Sequence, residues 1–166
     1  MKNKNTISVI LPIKSAVSGF FEEYLNKAIL INPNLHETYS NLGNAYLESN
    51  QFGKAIKMYD KSIKLKPTNA KDYSNRGIAF HNLRKYTDAL KNYDKAIKLK
   101  IDYENTDLNK ANTLIEIGEI DKAIACYEKC IKINLNYPEA YLNLALAKMR
   151  LKKYEDAIII LDQALE

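Results

Sequence analysis

Tyr39-Ser40-Asn41-Leu42-Gly43-Asn44-Ala45-Tyr46, followed by Ala55, Tyr59, Ser62 and Pro67, is the stretch on which the fold turns. Displaced by 34 residues, the pattern returns as Tyr73, Gly77, Phe80, Ala89, Tyr93 and Ala96. A second displacement finds Ala111, Leu114, Ala123, Tyr127 and Cys130; a third finds Tyr141, Leu144, Ala145, Ala157, Leu161 and Ala164. The small residue at 55, 89, 123 and 157 never slips register, so the chain is an internal repeat of constant length. A period of this size marks stacked units that bury their apolar faces on one another.

Within the first unit, Tyr39, Leu42, Gly43 and Tyr46 fall at i, i+3, i+4 and i+7, one stripe of an α-helix. Ala55, Tyr59 and Ser62 form a second stripe. The connections Ser49-Asn50-Gln51, Leu83-Arg84-Lys85, Gly118-Glu119 and Lys152-Lys153 are short and polar, which makes successive helices antiparallel. A glycine inside a helix costs about 1 kcal/mol, so Gly43 and Gly77 need a packing reason. With Ala111 and Ala145, they mark where a partner helix passes closely. From Phe20 the helical period is already running through Phe21, Leu25, Ala28 and Ile29, and it ends at Asn32-Pro33 as a later helix does at Lys66-Pro67. The chain therefore divides into an arm over 1–19, a half unit over 20–35, and units over 36–69, 70–103, 104–137 and 138–166. All-α, with about nine helices, is the expected class.

These residues resemble the tetratricopeptide repeat, whose signature is an aromatic, a Leu-Gly pair, a Tyr, an Ala, an aromatic, another Ala and a Pro. The resemblance implies an α-solenoid, a right-handed superhelix of antiparallel helix pairs. It also implies a concave groove, lined by the first helices at the second, fifth, ninth and twelfth positions of each unit, that binds a peptide segment of a partner protein. Those positions read Glu37, Ser40, Asn44, Leu47; Lys71, Ser74, Ile78, His81; Asn105, Leu108, Asn112, Ile115; and Glu139, Leu142, Leu146, Met149. Beside them runs a column of Asn41, Asn75, Asn109 and Asn143, whose amides either bond a neighbouring helix or hold a ligand's backbone. The expected groove is thus Asn41, Asn44, Asn75, Ile78, Leu108, Asn109, Asn112, Ile115, Leu142, Asn143, Leu146 and Met149, polar at one end and apolar at the other. Chaperone-tail-binding members of the family hold two carboxylates with Lys, Asn, Asn, Lys and Arg. The matching positions here are Ser40, Asn44, Asn75, Asn112 and Glu116, so all three cations are missing and that activity is not expected.

The chain departs from the family pattern at several points. Asp107 replaces an aromatic, Arg76 and Lys110 replace the Leu before the small residue, and Lys148 replaces the Tyr of the last unit. Ile101 and Leu135 stand where Pro67 stands, which predicts helices that run on or turn less sharply.

Other chemistry is thinly represented. Cys126 and Cys130 are spaced i, i+4, unlike a CxxC redox pair or a four-ligand zinc site, and Cys130 occupies the slot of Ser62 and Ala96. His36 and His81 are 45 positions apart, and no convergent polar set marks an enzyme; no cofactor or metal is expected. The formal charge is +5, from 25 Lys and Arg against 20 Asp and Glu, but only Arg76, Arg84 and Arg150 are arginines. Lys54, Lys57, Lys61, Lys64, Lys91, Lys95 and Lys98 read as the solvated outer face of second helices, and no nucleic-acid partner is expected. No apolar run reaches the roughly 20 residues needed to span a bilayer, and a cytoplasmic, membrane-free protein is expected. The opening run Thr6-Ile7-Ser8-Val9-Ile10-Leu11-Pro12 reads as a short strand or an irregular arm. It resembles the first strand of inverting family-2 glycosyltransferases, which implies, as an alternative, a module associated with such an enzyme over residues 6–30. The last helix carries Ile158-Ile159-Ile160 where earlier units interpose polar residues, which predicts either self-association through it or a chain that continues further in the natural gene product.

Overall fold

The computed structural model describes residues 23–25, 27–32, 34–99 and 104–164 of the 166. The arm over 1–19, with its strand-like run, and Ile101 lie outside the described residues. Among the described residues every regular element is helical. Residues 23–25 and 27–31 belong to α1. There follow α2 (His36–Glu48), α3 (Phe52–Leu65), α4 (Ala70–Asn82), α5 (Tyr86–Leu99), α6 (Glu104–Glu116), α7 (Ile120–Ile133), α8 (Pro138–Arg150) and α9 (Tyr154–Gln163). Helices pair as α2 with α3, α4 with α5, α6 with α7 and α8 with α9, and each pair packs on the next. First helices also touch one another, α2 on α4 and α4 on α6. The fold is an all-α solenoid.

Its spine is Tyr59, Tyr93 and Tyr127, 0%, 1% and 2% exposed. A Cβ built on Gly43 would lie 2.6 Å from the Tyr59 ring, and one on Gly77 would lie 2.5 Å from the Tyr93 ring. No side chain fits in that space, which is the packing reason the two glycines required. In the third pair Ala111 shares a core cluster with Tyr127.

The connection inside each pair is also fixed. Asn50, Arg84, Gly118 and Lys152 all have positive φ, between 58° and 82°. The next N–H then reaches back to the last helical turn, as Gln51 to Tyr46, Lys85 to Phe80, Glu119 to Leu114 and Lys153 to Lys148. This is a Schellman closure, and only the third unit places glycine at its left-handed residue. The polar turn residues were legible in the sequence; their left-handed conformation was not.

Departures from the repeat pattern find compensating partners. Asp107 is 2% exposed, and Lys129 of α7 reaches it at 2.8 Å. In the first unit the same second-helix position is Lys61, whose ammonium lies over the Tyr39 ring. Arg76 bonds Asp60 of the preceding unit and Asn92 of its own, and Lys110 bonds Asp94 of the preceding unit. The cations that interrupt the Leu column thus tie neighbouring units together. Of the two expectations at Leu135, the helix does not run on: α7 stops at Ile133, in the same register as α3. Asn134 caps it in an extended conformation, its side chain accepts from the N–H of Asn136, and Pro138 opens α8. An asparagine turn replaces the proline.

Adjacent units are also joined through a buried polar column. Asp72 is fully buried and accepts from the hydroxyls of Ser40 and Ser62, each at 2.5 Å, and from the Asn69 amide at 2.8 Å. Three donors make a buried carboxylate tolerable. One unit on, Ser74 and Thr106 share a hydrogen bond of 2.8 Å, and in the last junction Leu108 and Ala140 make the contact apolar.

Two substitutions test these constraints by urea unfolding. Gly77→Ala is expected to lower stability by about 1–3 kcal/mol through overpacking, although alanine favours helix. Arg84→Gly is expected to raise it by roughly 1 kcal/mol by relieving a left-handed arginine. Midpoints moving the other way would contradict the assigned contacts.

Candidate functional site

The inner face of the solenoid is built by α2, α4, α6 and α8. The fifth position of the first three units does not line it, contrary to expectation. Ser40, Ser74 and Leu108 are 8%, 2% and 4% exposed. Each lies against the third residue of the next first helix, Asp72, Thr106 and Ala140 in turn. Leu108 is therefore a core residue and leaves the groove set. Leu142 holds the same position in α8, but no described helix follows to cover it, and it is 50% exposed.

The asparagines form two bridges. Asn44 Oδ1 accepts from the Tyr59 hydroxyl at 2.8 Å and from Asn75 Nδ2 at 2.9 Å. The set recurs two units on, where Asn112 Oδ1 accepts from Tyr127 at 2.6 Å and from Asn143 Nδ2 at 3.2 Å. Between them, the position of Asn44 and Asn112 is taken by Ile78, which cannot accept, so Asn109 has no such acceptor in the neighbouring unit. Asn41 is exposed. The structural use of the column is real for Asn75 and Asn143, and it consumes only half of each amide. Among the described residues Asn112 Nδ2 and Asn143 Oδ1 bond nothing, which leaves one donor and one acceptor side by side.

Both amides line a pocket of about 300 Å³ between α6 and α8, with Ile115, Glu116, Tyr127, Glu139, Leu146 and Arg150 around it. Leu146 and Met149 are 48% and 45% exposed, whereas Leu47, Ile78 and Ile115 are half-buried. The apolar end of the inner face is thus the accessible one. Arg150 went unnoticed as a lining residue because in other units its position is Glu48, Asn82 or Glu116. A second cavity of about 350 Å³ lies between α7, α8 and α9, near Ile131, Tyr141, Leu144 and Ile159. Lys148 borders it, 3.9 Å from Glu128 and 3.8 Å from Asp156, in the slot that holds Tyr46 or Phe80 elsewhere. The signal for that space was the loss of an aromatic.

Burial favours the neutral forms of the inner phenols, thiols and His81. Burial raises the phenols of Tyr59 and Tyr93 and pushes Tyr127 up to about 12. Burial likewise raises the Cys126 thiol and pushes Cys130 up to about 12, and neither cysteine forms a disulfide. Burial lowers His81 against the opposing pull of Glu116; its Nδ1 lies 2.8 Å from the Thr113 hydroxyl. Among the described residues no three His, Cys, Asp or Glu side chains converge as a metal site.

A family model described as TPR repeat matches residues 43–83 and 111–152, half of the chain, and models described as tetratricopeptide repeat match 24–57, 70–103 and 139–166. The chain belongs to the tetratricopeptide repeat family. Solved structures agree with this tetratricopeptide repeat assignment. A crystal structure of MamA superposes with a TM-score of 0.84 at 28% identity, over 92% of this chain and 91% of that one. YrrB, described as a TPR protein with an unusual peptide-binding site, gives 0.74 at 19%, over 97% and 80%. The first TPR of Spaghetti (RPAP3), bound to the HSP90 peptide SRMEEVD, gives 0.69 at 22%, over 70% and 93%. The last two share the fold. No curated protein matches the sequence. Residues 24–30, within the stretch likened to a glycosyltransferase, fall inside a tetratricopeptide repeat match instead, and residues 6–22 lie outside the described residues.

Alkaline titration checks the buried spine. Above pH 10 an unfolded chain loses phenolic protons that the folded chain keeps, so stability falls as pH rises from about 10 to 12, by about 1.4 kcal/mol per pH unit for each such group. Tyrosinate absorbance is expected to appear in step with helix loss. Early ionisation of all twelve tyrosines in a still-helical protein would contradict burial of the three.

Proposed function

We propose that this tetratricopeptide repeat protein is a non-catalytic scaffold that binds an extended or helical peptide segment of a partner protein along its inner face. Ile115, Leu142, Leu146 and Met149 supply the apolar contact, and Asn112 and Asn143 hold the peptide backbone. Asn41, Asn44, Asn75, Ile78 and Asn109 continue the floor toward the polar end. The observation that carries the reading is the half-used amide pair beside an exposed apolar row. The kinship with YrrB and with the peptide-bound RPAP3 domain supports a peptide ligand. The ligand differs from an acidic chaperone tail. Ser40 is buried on Asp72, and Glu116 stands where a cation would hold a carboxylate.

We place this activity in the cytoplasm; no described helix is long and apolar enough to cross a membrane. The exposed lysines of α3 and α5 stay a solvated outer face rather than a nucleic-acid surface. A second reading, contact between copies of the chain through the C-terminal helix, is favoured by Ile158, Ile159 and Leu161, which are 59%, 57% and 38% exposed.

Selection of a displayed peptide library on the wild-type protein tests the groove. Enriched peptides are expected to lose at least ~10-fold in affinity for a Leu142→Arg, Leu146→Glu double variant, and to bind almost equally at about 50 and 200 mM salt. Equal binding by the double variant would show that the apolar end is not the contact. Affinity that collapses with salt would favour the lysine faces.

A further inference from the structure

We infer that a second copy of this chain covers the face left open by α8 and α9, the two copies packing about a two-fold axis with their α8 helices antiparallel. This deepens the second reading above and does not depend on the peptide reading. The face is a continuation of the interface that already joins the units. Leu108, Ile124 and Tyr127, at the fifth position and along the second helix of the third unit, are 4%, 8% and 2% exposed and share one core cluster with Ala140, Leu144 and Ala147 of the fourth unit. Their counterparts in the fourth unit, Leu142, Ile158 and Leu161, are 50%, 59% and 38% exposed. The surface is of the kind that packs against a helix pair at every earlier junction.

The charges on α8 choose the occupant. Glu139 lies in its first turn and Arg150 at its last residue. Neither has an ion-pair partner among the described residues. Between them Leu142, Leu146 and Met149 fall at i+3, i+7 and i+10 from Glu139, one continuous stripe. Turned through a two-fold, this stripe complements itself. Leu146 comes beside its own mate, Leu142 beside the partner's Met149, and Glu139 comes within a long side chain's reach of the partner's Arg150. The symmetry makes each of these contacts twice. A parallel pairing would set Glu139 against its own copy, a repulsive arrangement. Head-to-tail stacking would leave the same face open at the end of every fibre, whereas the two-fold closes at a dimer.

Pairing also has a consequence for binding. It covers Leu142, Leu146 and Met149, so self-association and peptide binding at the apolar end compete, each weakening the other by the same factor.

Sedimentation velocity on the full chain, from about 1 μM to about 1 mM, tests the inference. A monomer–dimer equilibrium with no larger species is expected. Glu139→Arg and Arg150→Glu should each weaken the dimer by about 10-fold, and the two together should restore it to within about 3-fold of wild type. Ile158→Glu, whose residue lies outside the peptide groove, should yield monomer with an unchanged circular dichroism spectrum. Monomer at every wild-type concentration, growth beyond dimers, or a double variant as weak as the singles would overturn the pairing. The two readings fail separately: an Ile158→Glu monomer that still binds library peptides upholds the groove, and a wild-type dimer that binds none upholds only the pairing.

Discussion

In the first two pairs a tyrosine ring lying on the bare Cα of a glycine sets the distance between the helices, and in the third Ala111 and Tyr127 take the same places. Tyr59 on Gly43 and Tyr93 on Gly77 leave no space for a methyl group. Helices that approach so closely place their backbones within reach of each other's polar side chains. The Tyr59 hydroxyl, carried through the core by its ring, emerges at Asn44, and Asn44 in turn bonds Asn75 of the next unit. One aromatic residue thus spaces a pair and anchors it to its neighbour. The phenol must stay protonated for this, and burial ensures that it does.

The junctions between units show how much chemistry one geometry tolerates. A buried carboxylate with three donors, a Ser–Thr hydrogen bond and a Leu–Ala contact occupy the same place in successive junctions. Lysine at one second-helix position lies over an aromatic ring in the first unit and pairs with a carboxylate in the third. What is repeated is the spacing, and the local interaction adapts to it. Stability of such a stack is a sum over neighbours, so a unit covered on one side is held less firmly than one covered on both. The open side of the last pair is also where the accessible apolar residues of the inner face lie, which links weak local stability to binding.

The architecture was legible because its signal is geometric. A period that returned Ala55, Ala89, Ala123 and Ala157 without slippage predicted pairs, register and close approach from residue size alone. Two kinds of feature were not legible. Leu108 was assigned to the groove because its position fits the inner face, yet its burial depends on Ala140, a residue 32 positions later whose smallness lets the next helix settle on it. The asparagine bridges needed the distance between two units, and a column of identical residues does not reveal that only Asn75 and Asn143 find acceptors while Asn109 faces Ile78. Likewise Leu135 was read as a helix that continues or turns less sharply, because an asparagine turn stops a helix as firmly as proline without looking like one.

The central claim is that the tyrosine spine holds each helix pair together and that a pair gains further stability from every neighbour that covers it. Hydrogen exchange measured residue by residue on dilute protein tests it most directly. Amides of α4, α5 and α6, covered on both sides, should exchange slowest, and those of the two end helices α1 and α9 should exchange fastest among the described helices, by at least about 100-fold. Protection that is uniform along the chain, or α9 as protected as α5, would contradict it.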